Sequence, residues 1–293
     1  IIIKLYNHMN KIKQNFLLVQ GRSLSQVNDS MQYFPLNWKD EFPIIPKLGF
    51  SGIEWIYDKS SEISNPILTK DGRKEILYLS KHNDVNLENI VFDWFLSYPF
   101  FQKNEILQQK NIEKFLSLMQ NCEDVGFKRI IFPLLDKNKI HTENEIKLLV
   151  KYFEKKIIKQ FDDLNIEIHF ETSLPPKKEK LLMNLFNHKK IKICFDMGNS
   201  ASEGYDPIEV IDILENMIGS IHIKDRKLGS SSVPLGQGDV KFLEIFQSLD
   251  NINFDGPISF QIYRNKDSDN ISLLKNSLTF INEIISKSIN DSK

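Results

Sequence analysis

Eight short apolar runs, separated by longer segments of helical periodicity, limit this chain's possible folds more than any other feature. The runs are Asn15–Val19, Gly52–Ile56, Leu87–Phe92, Arg129–Pro133, Ile166–Glu171, Lys192–Asp196, Ser220–Lys224 and Pro257–Tyr263. Each is rich in Ile, Val or Phe, as strands buried on both faces should be. Between them, the segment Ile106 to Val125 sets Ile112, Phe115, Leu116, Met119 and Cys122 on one stripe. Glu145 to Phe161 does the same with Leu148, Leu149, Tyr152, Phe153 and Ile157. Asp206 and Pro207 suit the cap and first position of another helix. Gly49, Gly126 and Gly219 each read as a helix stop ahead of a strand.

Strands alternating with helices of this length predict βαβ units and a parallel sheet, hence an α/β chain. An eightfold barrel needs roughly 250 residues, and the chain has 293. A closed (β/α)8 TIM barrel therefore fits better than an open doubly wound sheet. The Gly-x-Gly-x-x-Gly turn that would favour the open sheet is missing after the first strand. Residues 1–13 read as a disordered N-terminal extension, with Met9 a candidate start, and residues 14–293 as a single barrel domain.

Charge and cysteine content narrow the function classes. The 38 basic residues meet 39 acidic ones, so no basic excess points to a nucleic-acid partner. Cys122 and Cys194 form no C-x-x-C pair and sit near no His at metal spacing, which argues against a disulfide framework. Cys194 lies in an apolar run and reads as a small buried hydrophobe. No apolar run is long enough for a secretory signal or a membrane span. The expectation is a cytoplasmic protein with no membrane partner.

In a barrel the functional site forms at the C-terminal ends of the strands. Read in order, those ends carry Gly21 and Arg22, Glu54 and Asp58, Asp93 and Trp94, Asp136, Glu171, Asp196 and Asn199, His222 and Asp225, and Gln261 and Arg264. Glu171, Asp196 and His222 end three consecutive strands, about one βα repeat apart, so their side chains should converge near the barrel axis. One imidazole and two carboxylates suit a hexacoordinate divalent ion such as Mn2+, Mg2+ or Co2+, or alternatively Zn2+. Pairing with neighbouring Lys and Arg would explain each residue singly, but not three at matching positions. His169 faces the same side as Glu171 but deeper, and reads as a hydrogen-bonded core histidine. His8, His82, His141 and His188 fall in the extension or around helix ends. In the segment Leu235 to Val240, two glycines permit close backbone approach to a ligand, and Asp239 can cap the next helix. Arg226, Lys227 and Arg264 are candidate cations for a phosphate there.

These residues also carry a resemblance. The chain resembles the sugar phosphate isomerase/epimerase family, which shares a xylose isomerase-like barrel with the tagatose and xylulose-phosphate 3-epimerases and with endonuclease IV. The matching stretches are Gln20-Gly21-Arg22, Gly49 to Trp55, Phe195-Asp196-Met197-Gly198-Asn199, His222-Ile223-Lys224-Asp225-Arg226 and Pro234 to Val240. The likeness runs from Phe16 to Ser286. It implies a divalent metal held by Glu, Asp, His and Glu on strands five to eight, the first three matching Glu171, Asp196 and His222. It also implies two glutamates working as a proton-transfer pair across an enediolate. The last position here is Gln261, which offers a carbonyl oxygen but neither charge nor base.

The expectation is thus a metal-dependent isomerase or epimerase of a sugar or sugar phosphate. Glu171 and Gln261 stand in the catalytic positions; Glu171, Asp196, His222 and Gln261 are the metal set; Arg22, Glu54, Asn199, Asp225, Arg226 and Arg264 are substrate contacts. With Gln261, three routes stay open: Glu171 as a single base, Glu54 or Asp225 as a second base, or a carbohydrate-binding barrel without turnover. A homo-oligomer also stays open. The endonuclease IV likeness is weaker, since its trinuclear zinc cluster needs more rim histidines than His222 and His169.

Overall fold

In the computed structural model, residues 16–24, 33–100, 105–264 and 269–291 are described. Asn15 and the expected extension over residues 1–13 lie outside them. Eight parallel strands follow the predicted runs: β1 Phe16–Val19, β2 Gly52–Ile56, β3 Asn89–Val91, β4 Arg129–Leu134, β5 Glu167–Thr172, β6 Ile191–Asp196, β7 Ile218–Ile223 and β8 Ile258–Phe260. Each pairs with its sequence neighbours, and β1 pairs with β8 through Phe16–Ile258, Leu17–Ser259 and Leu18–Phe260. The sheet closes into a barrel, the (β/α)8 architecture expected from the alternation. No described helix is long and apolar enough to cross a membrane.

Helices cover the outside of the barrel. The stripe on Glu105–Val125 buries Ile112, Phe115, Met119 and Cys122 as anticipated. The predicted helix from Glu145 begins earlier, at Glu143, because Thr142 and Glu145 form a reciprocal capping box. It also breaks at Ile157 into Glu143–Lys156 and Ile158–Asp163, which keeps both Ile157 and Phe161 fully buried. Asp206 caps Pro207–Leu214 by accepting from the backbone N–H groups of Ile208 and Glu209. Phenylalanines fill the layer between sheet and helices. Phe132 on β4 meets Phe95 at 4.3 Å and Phe115 at 5.4 Å between ring centroids. Such pairs add to the area they bury through favourable edge and offset geometry.

The inside of the barrel is more polar. His169 on β5 is fully buried, with Nδ1 2.8 Å from Ser220 Oγ and Nε2 2.9 Å from Glu167 Oε2. Both ring nitrogens are engaged, as suits a core histidine. Gly219, expected to stop a helix, instead lies within β7. A Cβ there would come within 2.5 Å of the His169 ring, so the missing side chain makes room for the imidazole.

One buried acid couples this packing to pH. Glu179, on Pro176–Phe186, accepts a 2.6 Å hydrogen bond from Thr172 Oγ1. Burial pushes its carboxyl up to about 7, and the Thr172 bond opposes this only in part. Because the folded value lies above the ordinary 4.5, the folded state binds the proton more tightly than the unfolded one. This contribution to stability is complete below pH 4.5 and is lost as the pH rises to about 7. Urea unfolding of Glu179→Gln across that range should show a flatter pH dependence than wild type, by up to about 3 kcal/mol. An unaltered slope would mean that Glu179 ionises in the fold as it does in the open chain.

Candidate active site

Parallel pairing brings the predicted trio together. Asp196 and His222 are direct register partners on β6 and β7, and Glu171 ends β5 beside them. All three are buried, and one ligand atom of each lies within 4.8 Å of the others. His222 Nδ1 is 3.6 Å from Glu171 Oε2 and 4.0 Å from Asp196 Oδ2. On its other side, Nε2 is 2.8 Å from Glu54 Oε1. Glu54 also accepts from Ser259 Oγ at 2.6 Å and Asn89 Nδ2 at 3.0 Å. It is therefore held behind the imidazole by Ser259 and Asn89, and Nδ1 lies on the ring's other side, toward the two carboxylates.

Those spacings fit a divalent ion. Ligand atoms each about 2.1 Å from a common centre stand about 3 to 4 Å apart. Both ring nitrogens of His222 are buried and neither makes a well-aligned hydrogen bond among the described residues: Nε2 meets Glu54 Oε1 as a close charged contact, and Nδ1 faces the carboxylates across a gap of that size. The Glu54–His222 contact is the usual carboxylate–imidazole support behind a metal ligand. Glu171, Asp196 and His222 could hold such an ion, with Gln261 offering a neutral oxygen from the end of β8.

The electrostatics separate the two carboxylates. Burial pushes Glu171 upward, and the Asp196 charge adds to this against the pull of His222 and Lys224. Burial would also raise Asp196, but Lys224, His222 and the Asn199 N–H outweigh it and hold the carboxyl below its ordinary value. Burial opposes charge on His222, yet Cys194 and Glu54 carry the imidazole well above its usual value. A metal at Nδ1 would take the place of that proton.

A cavity of about 580 Å³ opens onto the trio at Glu171, lined in part by Arg22, Asp93, Glu171, Asn199, Lys224, Arg226 and Gln261, with Asp196 and His222 outside its wall among the described residues. Asn199 bridges its wall: Nδ2 donates to Glu171 Oε1 at 2.9 Å, and Oδ1 accepts from Arg226 Nη1 at 2.8 Å. Arg226 also donates to the Ser230 carbonyl. Arg22 is buried, and burial with the nearby Arg264 guanidinium lowers it to about 9.

Several expected contacts have different surroundings. Among the described residues, the wall of this cavity does not include Glu54, Asp225 or Arg264. Arg264 is buried and donates to the Leu24 carbonyl. Asp225, fully buried, accepts from the backbone N–H groups of Gly236, Gly238 and Val240. The N–H groups expected to cradle a phosphate are thus directed at a carboxylate of the chain itself. Asp239 accepts from Leu228 N, and the helix Phe242–Asn251 has no side-chain cap. Sequence reasoning missed Lys224, whose Nζ lies 2.8 Å from Asp196 Oδ2. Its signal was the two-residue strand period, which sends Lys224 to the same side as His222.

Fold and site together define a (β/α)8 barrel with a buried carboxylate–imidazole cluster at the open ends of its strands. The chain belongs to the xylose isomerase-like TIM barrel family, whose model matches residues 42–284. It is 19% identical over 233 residues to L-ribulose-5-phosphate 3-epimerase UlaE of Escherichia coli, covering 77% of this chain and 82% of that protein. A solved L-ribulose 3-epimerase aligns with a TM-score of 0.74 at 15% identity, covering 94% of this chain and 96% of the other. The IOLI protein with a bound zinc atom aligns at 0.70 and 17% identity, over 93% and 98% of the two chains.

Glu54 offers a direct test of the metal geometry. Glu54→Gln keeps an acceptor for Ser259 and Asn89 but removes the charge behind His222. Calorimetry with Mn2+ should show affinity about 10- to 100-fold weaker than wild type, the usual effect of losing such a support. Equal affinities would mean that Glu54 does not orient the ring.

Proposed function

We propose that this chain is a divalent-metal-dependent isomerase or epimerase of a sugar or sugar phosphate, moving a proton on the carbon beside a carbonyl through an enediolate. The observation that carries the reading is the buried Glu171–Asp196–His222 cluster beneath a polar cavity. Membership of the xylose isomerase-like family and the likeness to L-ribulose-5-phosphate 3-epimerase UlaE support a sugar substrate. The cavity volume of about 580 Å³ is within the range of small-molecule sites.

Glu171 is the group suited to the proton. Its carboxylate lines the cavity, is held by Asn199, and has its proton affinity raised by burial. Deprotonating a carbon acid this weak also needs stabilisation of the oxygen that becomes negative. A divalent ion held by Glu171, Asp196 and His222 would supply that positive charge. Arg22, Asn199 and Arg226 line the same cavity and would bind and orient hydroxyls or a phosphate.

Gln261 favours one base over two. A neutral amide cannot return a proton to the opposite face of the substrate. Glu54 and Asp225 are poor substitutes, each fully buried and already accepting hydrogen bonds away from the cavity. A single carboxylate suffices for aldose–ketose isomerisation. Glu171 takes the proton from one carbon and returns it to the adjoining carbon on the same face, while a hydroxyl proton passes from one substrate oxygen to the other. Gln261 is also what a barrel that binds a carbohydrate without turnover would carry, so that is the alternative reading.

The first of two measurements decides between them, and the second tests the place of Gln261. With a divalent metal supplied, wild type should interconvert pentuloses or their 5-phosphates with their isomers, with solvent deuterium entering only as far as the Glu171 carboxyl exchanges before returning its proton, and Glu171→Gln should lose at least about a hundredfold of the interconversion rate. Neither interconversion nor exchange with Mn2+, Co2+, Mg2+ and Zn2+ across these ketoses would leave the binding-only reading. Gln261→Glu adds a carboxylate beside the trio and should tighten Mn2+ binding. Unchanged affinity would put Gln261 outside the coordination sphere.

A further inference from the structure

Lys224 reaches the trio directly, and it does so through a built path. Its Nζ donates to Asp196 Oδ2 at 2.8 Å. That oxygen lies 4.0 Å from His222 Nδ1, on the side where an ion would sit. The stem of Lys224 passes over Gly198, in the first turn of the short helix Met197–Ser202. A Cβ at that glycine would come within 2.8 Å of Lys224 Cγ, and within 3.0 Å of Cβ and Cδ. The absence of a side chain at position 198 therefore makes the groove in which the lysine lies.

Resting on the metal-site reading, we propose that Lys224 is a resident competitor for Asp196, an internal cation that lowers the affinity of this site for divalent ions. An ammonium 2.8 Å from Oδ2 and an ion about 2.1 Å from the same oxygen would stand within about 5 Å of each other. Two cations that close repel strongly in a buried site. Binding the ion therefore requires Lys224 to withdraw or to give up most of its hold on Asp196. The lysine has somewhere to go: it lines the cavity and its side chain is 15% exposed. Gln261 sharpens the competition, because it supplies no carboxylate to compensate for the share of Asp196 that the lysine holds. Once displaced, the ammonium faces the same cavity that would hold a substrate oxyanion or phosphate.

The test is Mn2+ titration calorimetry of the full chain as wild type, Lys224→Met and Gly198→Ala. Lys224→Met keeps the stem and removes the charge. Gly198→Ala replaces no candidate ligand and crowds the lysine stem at Cβ, Cγ and Cδ. Both should bind Mn2+ more tightly than wild type, Lys224→Met by about tenfold or more, the factor one charge-assisted hydrogen bond is worth. Unchanged or weaker binding by Lys224→Met overturns the proposal while leaving the metal site standing. If none of the three proteins binds Mn2+, the metal site itself fails and the proposal falls with it. Should Lys224→Met not fold, judged by circular dichroism, Lys224→Gln takes its place, with tighter binding in support and any other result against.

Discussion

The ladder of hydrogen bonds between β1 and β8 closes the sheet, and the rest of the molecule depends on that closure. A closed ring leaves no strand edge and sorts side chains into an outer set facing helices and an inner set facing one another. The outer set is apolar, with Phe132 stacked among other phenylalanines on the face that the helices cover. The inner set contains His169, Ser220, Glu54, Asn89 and Ser259, all fully buried. Burying that much polarity is tolerable only because the ring supplies partners from several strands at once.

Glu54 shows how the inner network serves the site above it. Its carboxylate faces His222 from β7 and accepts from Asn89 on β3 and Ser259 on β8. Burial alone would raise its proton affinity, but these contacts hold it below the ordinary carboxylate value. The charged form is therefore the stable one, and the far nitrogen of His222 lies toward Glu171 and Asp196. Asp225 does comparable work for the loop after β7, gathering the N–H groups of Gly236, Gly238 and Val240. Both acids shape the active end of the barrel without lining its cavity.

The two carboxylates that do face each other have divergent surroundings. Asp196 is held charged by Lys224 and by the Asn199 N–H, whereas burial pushes Glu171 toward its protonated form. Groups driven apart in this way tend to divide labour, one as a fixed charge and the other as a proton carrier. In the proposed metal site, Gln261 and Lys224 would shift the balance away from the four-ligand, three-carboxylate set that the resemblance implies. One withholds a negative charge and the other adds a positive one, so the metal and the substrate would share a site with less negative charge.

By itself, the sequence determined the eight strands, two of the helices between them and the cap of a third, the barrel they imply and the convergence of Glu171, Asp196 and His222. Those features rest on local periodicity and on one recurring position per βα unit, both visible along the chain. The early start of the helix at Glu143 was missed, although its signal, the Thr142 and Glu145 capping pair, lies in the sequence. Tertiary structure alone decided that Glu54 and Asp225 face inward partners rather than the cavity, that Gly219 makes room for His169, and that Lys224 reaches Asp196 over Gly198. Ser259 and Glu54 are 205 residues apart and meet only because the first and last strands are neighbours in the ring. Periodicity tells which side of a strand a residue faces, but what it meets there is set by closure.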